Sequence, residues 1–219
     1  MDAGGEEARR ADTSRGDASR RSWIVLDPLR PMDPPEPVEG CMEHLRARGV
    51  RASETRMTPH LNANETILCG TTQAVKFQRG PGKIRWSRPP RVSCRMALAL
   101  ARFEEIVQEE ARRLFDDRVY AARHVGTYNC REMAAYEGWV SEHSYANAID
   151  LVSLTLARGT EISVRTHYFD PGPRGELLRE VARRAFEEDV FSVVLTPAFD
   201  DHHKGHLHLD MAHYRAGEY

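Results

Sequence analysis

No apolar run in this 219-residue chain approaches the ~20 residues that a membrane-spanning helix needs. After Met1, residues 1–22 hold no apolar side chain larger than alanine, so that stretch cannot bury enough surface to order itself. It also lacks the apolar core of a secretion signal, roughly 7–15 residues long. Arg20-Arg21 are followed only by Trp23-Ile24-Val25-Leu26 before Asp27-Pro28 ends the run. Two explanations stay open: a cytosolic protein, or a chain whose leader is lost or lies upstream of this start. No Cys-x-x-Cys spacing occurs among Cys41, Cys69, Cys94 and Cys130, which argues against a zinc ribbon or a thioredoxin-like motif. The net charge of −2 gives no bulk attraction for nucleic acid, and no internal repeat is present.

What is there is ordinary for a globular domain: 41% hydrophobic and 29% charged residues. The prolines at 28, 31, 34, 35 and 37 read as an extended linker. The expected organisation is a disordered tail and linker over residues 1–37 and one folded domain over 38–219. An even number of cysteines permits two disulfides in any of three connectivities, with an oxidising compartment implied, or four buried free thiols. Between residues 51 and 90 the reading is strand and loop, with short apolar runs at 66–69 and 74–77 and a turn at Gly80-Pro81-Gly82. Helical spacing is strongest over 92–115, where Met96, Leu100, Phe103, Val107 and Leu114 fall on one face, and recurs over 38–48 and 175–186. Strands are expected at 118–130, 148–156, 161–164, 191–195 and 205–211, the second and third joined as a hairpin. The fold class is therefore α+β: a central antiparallel sheet flanked by helices.

Five of the ten histidines lie between His202 and His213. In His206-Leu207-His208-Leu209-Asp210, polar and apolar residues alternate. On a strand, His206, His208 and Asp210 share one face and the two leucines the other. Two imidazoles held rigidly by leucines behind them suit a transition metal. A second element is Ser141-Glu142-His143 followed by Asp150. Asp150 sits in an apolar strand, where a carboxylate needs a partner or a cation. Two imidazoles and one carboxylate leave a fourth zinc position open, as catalytic sites do. Cys130 beside a histidine is a weaker alternative, as a thiol nucleophile. Trp139 reads as core rather than sugar platform. The basic cluster Lys83, Arg85, Arg88 and Arg91 around Trp86 reads as a solvated loop that an anionic polymer could touch.

Ser-x-His, six residues, Asp, and downstream His-x-x-His-x-His resembles the zinc peptidase superfamily of D-Ala-D-Ala carboxypeptidases and dipeptidases, lysostaphin and murein endopeptidases. More closely, the chain resembles the bacterial extensin-like C-terminal domain family. The matching residues are Cys69-Gly70, Cys94-Arg95-Met96-Ala97, Tyr128-Asn129-Cys130-Arg131, Ser141-Glu142-His143, Asn147-Ala148-Ile149-Asp150, residues 191–195, and His203 through Asp210. The resemblance implies Zn2+ held by His143, Asp150 and His208 in a groove on the sheet. His206 is then a non-ligand catalytic histidine, His203 lines the site, and Arg131 faces the substrate. It implies hydrolysis of peptide bonds in cell-wall peptidoglycan, or, as the alternative, a non-catalytic domain of the same fold that binds wall polymer or a protein. With the cysteines, it points to a periplasmic or extracellular location; the lack of a visible signal leaves the cytoplasm open. Three departures stand out. Ala146 replaces the usual glycine. No glutamate precedes His203, where the chain reads Asp200-Asp201-His202, so a histidine-based mechanism is expected. No cysteine lies near Arg184, so one family disulfide is lost or rewired; Cys41–Cys69 is the preferred bridge, leaving Cys94 and Cys130.

Overall fold

A computed structural model of the chain describes residues 23–25, 33–133, 136 and 138–219. In chain order the elements are β1 (Trp23–Val25), α1 (Cys41–Ala47), β2 (Arg51–Leu61), β3 (Leu68–Arg79), β4 (Arg85–Trp86), β5 (Arg91–Ser93) and α2 (Cys94–Phe115). Then come β6 (Val119–His124), a 3₁₀ turn (Glu142–Tyr145), β7 (Ala148–Leu156), β8 (Glu161–Ser163), α3 (Val164–His167) and α4 (Pro173–Glu187). The chain closes with β9 (Val193–Leu195), a second 3₁₀ turn (Asp201–His203), β10 (Leu207–Asp210) and β11 (Arg215–Glu218). The mixture of sheets and four helices is α+β.

Two sheets form. The larger runs β1-β11-β9-β10-β7-β6-β4, with β8 also on β7; the smaller is β2-β3-β5. The larger sheet is mixed and not purely antiparallel, because β11 pairs parallel to β9 and β4 parallel to β6. Both parallel pairs involve short strands reached by connections longer than a hairpin, which alternation alone does not reveal. The two apolar runs expected at 66–69 and 74–77 merge into one long strand, β3. Trp23–Val25 lies on the edge of the main sheet against β11. The other tail residues, 1–22, and residues 26–32, which include the first two of the five prolines, lie outside the described residues.

The core lies between the main sheet and helices α2 and α4. Met96, Leu100, Phe103 and Val107 of α2 are buried against Leu177, Val181 and Ala185 of α4 and against Ile149, Leu151, Leu207 and Leu209 of the sheet. Ser93 caps α2, accepting from the Met96 N–H at 3.1 Å. Its hydroxyl also donates to Asn147 Oδ1 at 2.7 Å, which ties the start of α2 to the start of β7. Because neighbouring strand residues face opposite ways, the odd-numbered leucines that enter this core force Asp150 and His208 to the other face.

The disulfides are Cys41–Cys94 and Cys69–Cys130. This corrects the preferred Cys41–Cys69 bridge. Cys41 and Cys94 belong to the main core. Cys69 lies instead in a separate small cluster with Ile67, Val140 and Tyr145, against which Cys130 packs. The Cys130 thiol is thus consumed, and the nucleophile reading falls. Two disulfides indicate an oxidising location, the periplasm or the cell exterior. No helix among the described residues is long and apolar enough to cross a membrane.

Candidate metal centre

β7 and β10 are neighbours, and their register places His208 directly opposite Asp150. Side chains opposite each other on one face are within contact reach. His208 Nδ1 donates to Asp150 Oδ1 at 3.0 Å, and its Nε2 donates to Asp210 Oδ2 at 2.8 Å. The Asp210 side chain is almost fully buried and also accepts from the Ala212 N–H. His208 is therefore clamped between two carboxylates on its own sheet. Burial pushes its pKa down, but hydrogen bonds to Asp150 and Asp210 outweigh that and push it up to about 10. Burial would also raise the Asp150 carboxyl, yet hydrogen bonds from His143 and His208 hold it well below the usual range.

His143 arrives from the 3₁₀ turn, its Nε2 3.2 Å from both oxygens of Asp150. The turn ends at Ala146, which sits in the left-handed region at φ 54°. The expected glycine position thus keeps the conformation a glycine favours, at some cost to alanine. Asn147 anchors the turn: its amide donates to Glu142 Oε2 at 2.7 Å and to the Met211 carbonyl at 3.0 Å. On the other flank, Ser144 Oγ accepts from the Arg131 N–H at 2.9 Å, and the Asn129 N–H donates to the His143 carbonyl at 3.1 Å. The Cys69–Cys130 bridge ties that flanking loop to β3. Gly126 closes the back, where a β-carbon would come within 3.5 Å of Asp150 Oδ2.

His206 precedes β10 but points to the same place, with Nε2 3.5 Å from Asp150 Oδ1. The His203 ring lies 5.2 Å from that of His206 and 5.8 Å from that of His208. His203 Nδ1 donates to Asp200 Oδ1 at 2.6 Å. Burial lowers the pKa of both His203 and His206, so both favour the neutral imidazole. Arg131 is the one expected site residue whose side chain is not in this cluster; it is exposed and donates to the Glu132 carbonyl at 3.2 Å.

Three participants were not assigned a role from the sequence. Asp200 stands three residues before His203, an N-cap spacing that signals it. The alternation puts Asp210 on the histidine face but gives it no task. Glu142 is buried beside Asp210; burial first, then the Asp210 charge, pushes its carboxyl up to about 8. No local pattern marks it, because the Asp210 beside it comes from a different strand far along the chain.

Donor atoms of His143, Asp150 and His208 lie within 4.8 Å of one another. Their chemistry, two imidazoles and one carboxylate with the second nitrogen of His208 held by Asp210, fits a zinc-type cation with an open position.

Comparison with known proteins returns no matching curated protein and no matching solved structure. The family described as extensin-like protein C-terminus matches residues 39–219, which include every residue of the histidine cluster, and the chain belongs to that family.

Proposed function

We propose that the domain is a zinc-dependent, peptidase-like hydrolase, placed in the superfamily of D-Ala-D-Ala peptidases and murein endopeptidases and cutting peptide bonds in bacterial peptidoglycan. The observation that carries this reading is the convergence of His143, Asp150 and His208 donors within 4.8 Å, with two more imidazoles alongside. His143, Asp150 and His208 would hold the cation. When bound, zinc supplies a Lewis acid for the scissile carbonyl and a water of pKa near 7.

The protein's own groups do the rest. Asp210 holds His208 by its Nε2, so that Nδ1 faces Asp150. His206, neutral near pH 7, takes a proton from the attacking water and returns it to the leaving amine. Asp200 accepts a hydrogen bond from His203 Nδ1, which fixes the tautomer and leaves Nε2 as an acceptor. Arg131 has only a carbonyl partner among the described residues and is free to grip a substrate carboxylate in bidentate fashion.

The test is His206→Ala, assayed with peptidoglycan fragments and by elemental analysis. The expected result is about one zinc per chain, as in the wild type, with turnover reduced by roughly 10²–10⁴-fold. Unchanged turnover, or metal-free wild type hydrolysing as fast as the zinc form, overturns the reading and leaves a binding module.

A further inference from the structure

A second polar surface lies at the opposite end of the sheet. Arg79 at the end of β3, Lys83 in the following turn, Arg112 in the last turn of α2 and Arg118 before β6 line a groove of about 760 Å³. β6 starts opposite Leu156, six residues along β7 from Asp150. At the ~3.3 Å rise of a strand this is about 20 Å from the histidines. All four cations are exposed. Among the described residues, none of them has a carboxylate within ion-pair distance.

Two carboxylates, Glu105 and Glu109, share the lining, so four cations stand against two acids, each of which is already held by an arginine outside the groove. Glu105 is held by Arg102 at 3.0 Å, and Glu109 by Arg102 at 3.5 Å and Arg184 at 2.7 Å. Asp117 turns its carboxylate to the backbone N–H groups of Arg118 and Arg158. The groove is therefore net positive in a chain of net charge −2. Its floor is built in advance. Gln108 Nε2 donates to the carbonyls of Gly82 and Val119, both at 2.7 Å, and its Oε1 accepts from the Val119 N–H at 2.9 Å. Gly82 lies so close to α2 that a β-carbon would meet Glu104 at 2.8 Å.

Lys83 itself is held at φ 59°, a left-handed conformation that glycine or asparagine adopts more cheaply. A backbone outlier that keeps a charged side chain aimed at a positive groove points to a use for that charge. Next to the groove, Arg85 and Arg118 flank the exposed Tyr120 ring, 4.9 and 5.9 Å from its centroid. Those cations compete with any nucleic-acid base for the faces of the ring. The recess is concave, unlike a surface that lies on a flat bilayer.

We propose that this groove binds an acidic polysaccharide, its guanidinium forks pairing with the carboxylates of successive sugars. The site is separate from the histidine cluster, and the inference does not rest on the hydrolase reading.

The experiment is titration of the full chain with polygalacturonate at 50 and 200 mM NaCl, by calorimetry. The wild type is expected to bind and to lose at least tenfold in affinity at the higher salt. The variant Arg79→Gln/Lys83→Gly/Arg112→Gln/Arg118→Gln loses at least tenfold. A control with equal loss of charge elsewhere, Arg46→Gln/Arg48→Gln/Arg56→Gln/Arg174→Gln, stays within twofold of wild type. Lys83→Gly alone relaxes the backbone, so it melts no lower than wild type yet binds two- to fivefold more weakly. No binding at 50 mM salt, equal weakening in both quadruple variants, no loss with Lys83→Gly, or tighter binding to phosphatidylglycerol vesicles or single-stranded DNA than to polygalacturonate overturns the proposal.

Discussion

Charge is wired in two opposite ways in this domain. Across α2 and α4, Arg184 meets Glu109, Glu110 and Glu188, Arg102 meets Glu105, Glu109 and Glu188, and Arg113 meets Glu110 and Glu176. Most of these side chains are a third or more exposed, and each carboxylate that loses one arginine can turn to another or to water. On the histidine face a single carboxylate, Asp150, takes His143, His206 and His208 at once, with Asp210 behind. Among the described residues, His143 and His206 have no second carboxylate to turn to, and water is largely excluded. The number of ion pairs therefore says little about importance. Exposed pairs contribute about 0–1 kcal/mol each, whereas removing one partner of a buried set leaves the others uncompensated, at about 3–5 kcal/mol.

The sharpest way to break the contrast is Asp150→Ala. It should abolish stoichiometric zinc by elemental analysis and reduce hydrolysis by more than about 10³-fold, as removal of a ligand to a catalytic metal does. An Asp150→Ala protein that retains one zinc per chain would show that the three donors do not form one site.

A smaller effect comes from pH. In the metal-free protein the His208 pKa is raised from 6.5 to about 10. The stability it contributes is fully present below pH 6.5 and lost as pH rises through about 10. A metal must displace that proton, so zinc affinity should rise by about tenfold per pH unit within this window. Competition with a chelator of known affinity at several pH values measures it; a flat profile would mean that His208 is not a ligand.

The smallest effect is expected on the helix face. Arg102→Ala, which touches only carboxylates that are a third or more exposed, should lower stability by no more than about 1 kcal/mol in denaturant titrations, and less at 1 M salt, where surface pairs are screened. A loss of several kcal/mol would make the helix network, with Glu110 nearly buried beneath it, as critical as the histidine site.

Much of the site was legible because its pattern is local. The alternation from His206 to Asp210 placed the leucines in the core and the imidazoles on the other side, although β10 itself begins only at Leu207. Asp150 stood out as a charge in an apolar run, and His143 through its fixed spacing to it. Less legible were elements without a period. β11 reads Arg-Ala-Gly-Glu, which has little strand propensity and gains its place from its neighbours. β2 is exposed or half-exposed along its whole length, so it shows no buried face to recognise. The disulfides were misjudged because pairing follows from which core each cysteine enters, not from spacing.

By itself, the sequence determined the three longer helices, the alternating strands and the kinds of atom available at the site, because backbone geometry imposes periods of 3.6 and 2 on any buried face. Only the tertiary structure decided that β7 lies beside β10 with Asp150 opposite His208, that Asp210 and Glu142 are sealed behind them, and that four cations from separate segments meet in one groove. Those relations join residues far apart in the chain. They are set by which surfaces can be buried together, a choice that local propensity does not encode.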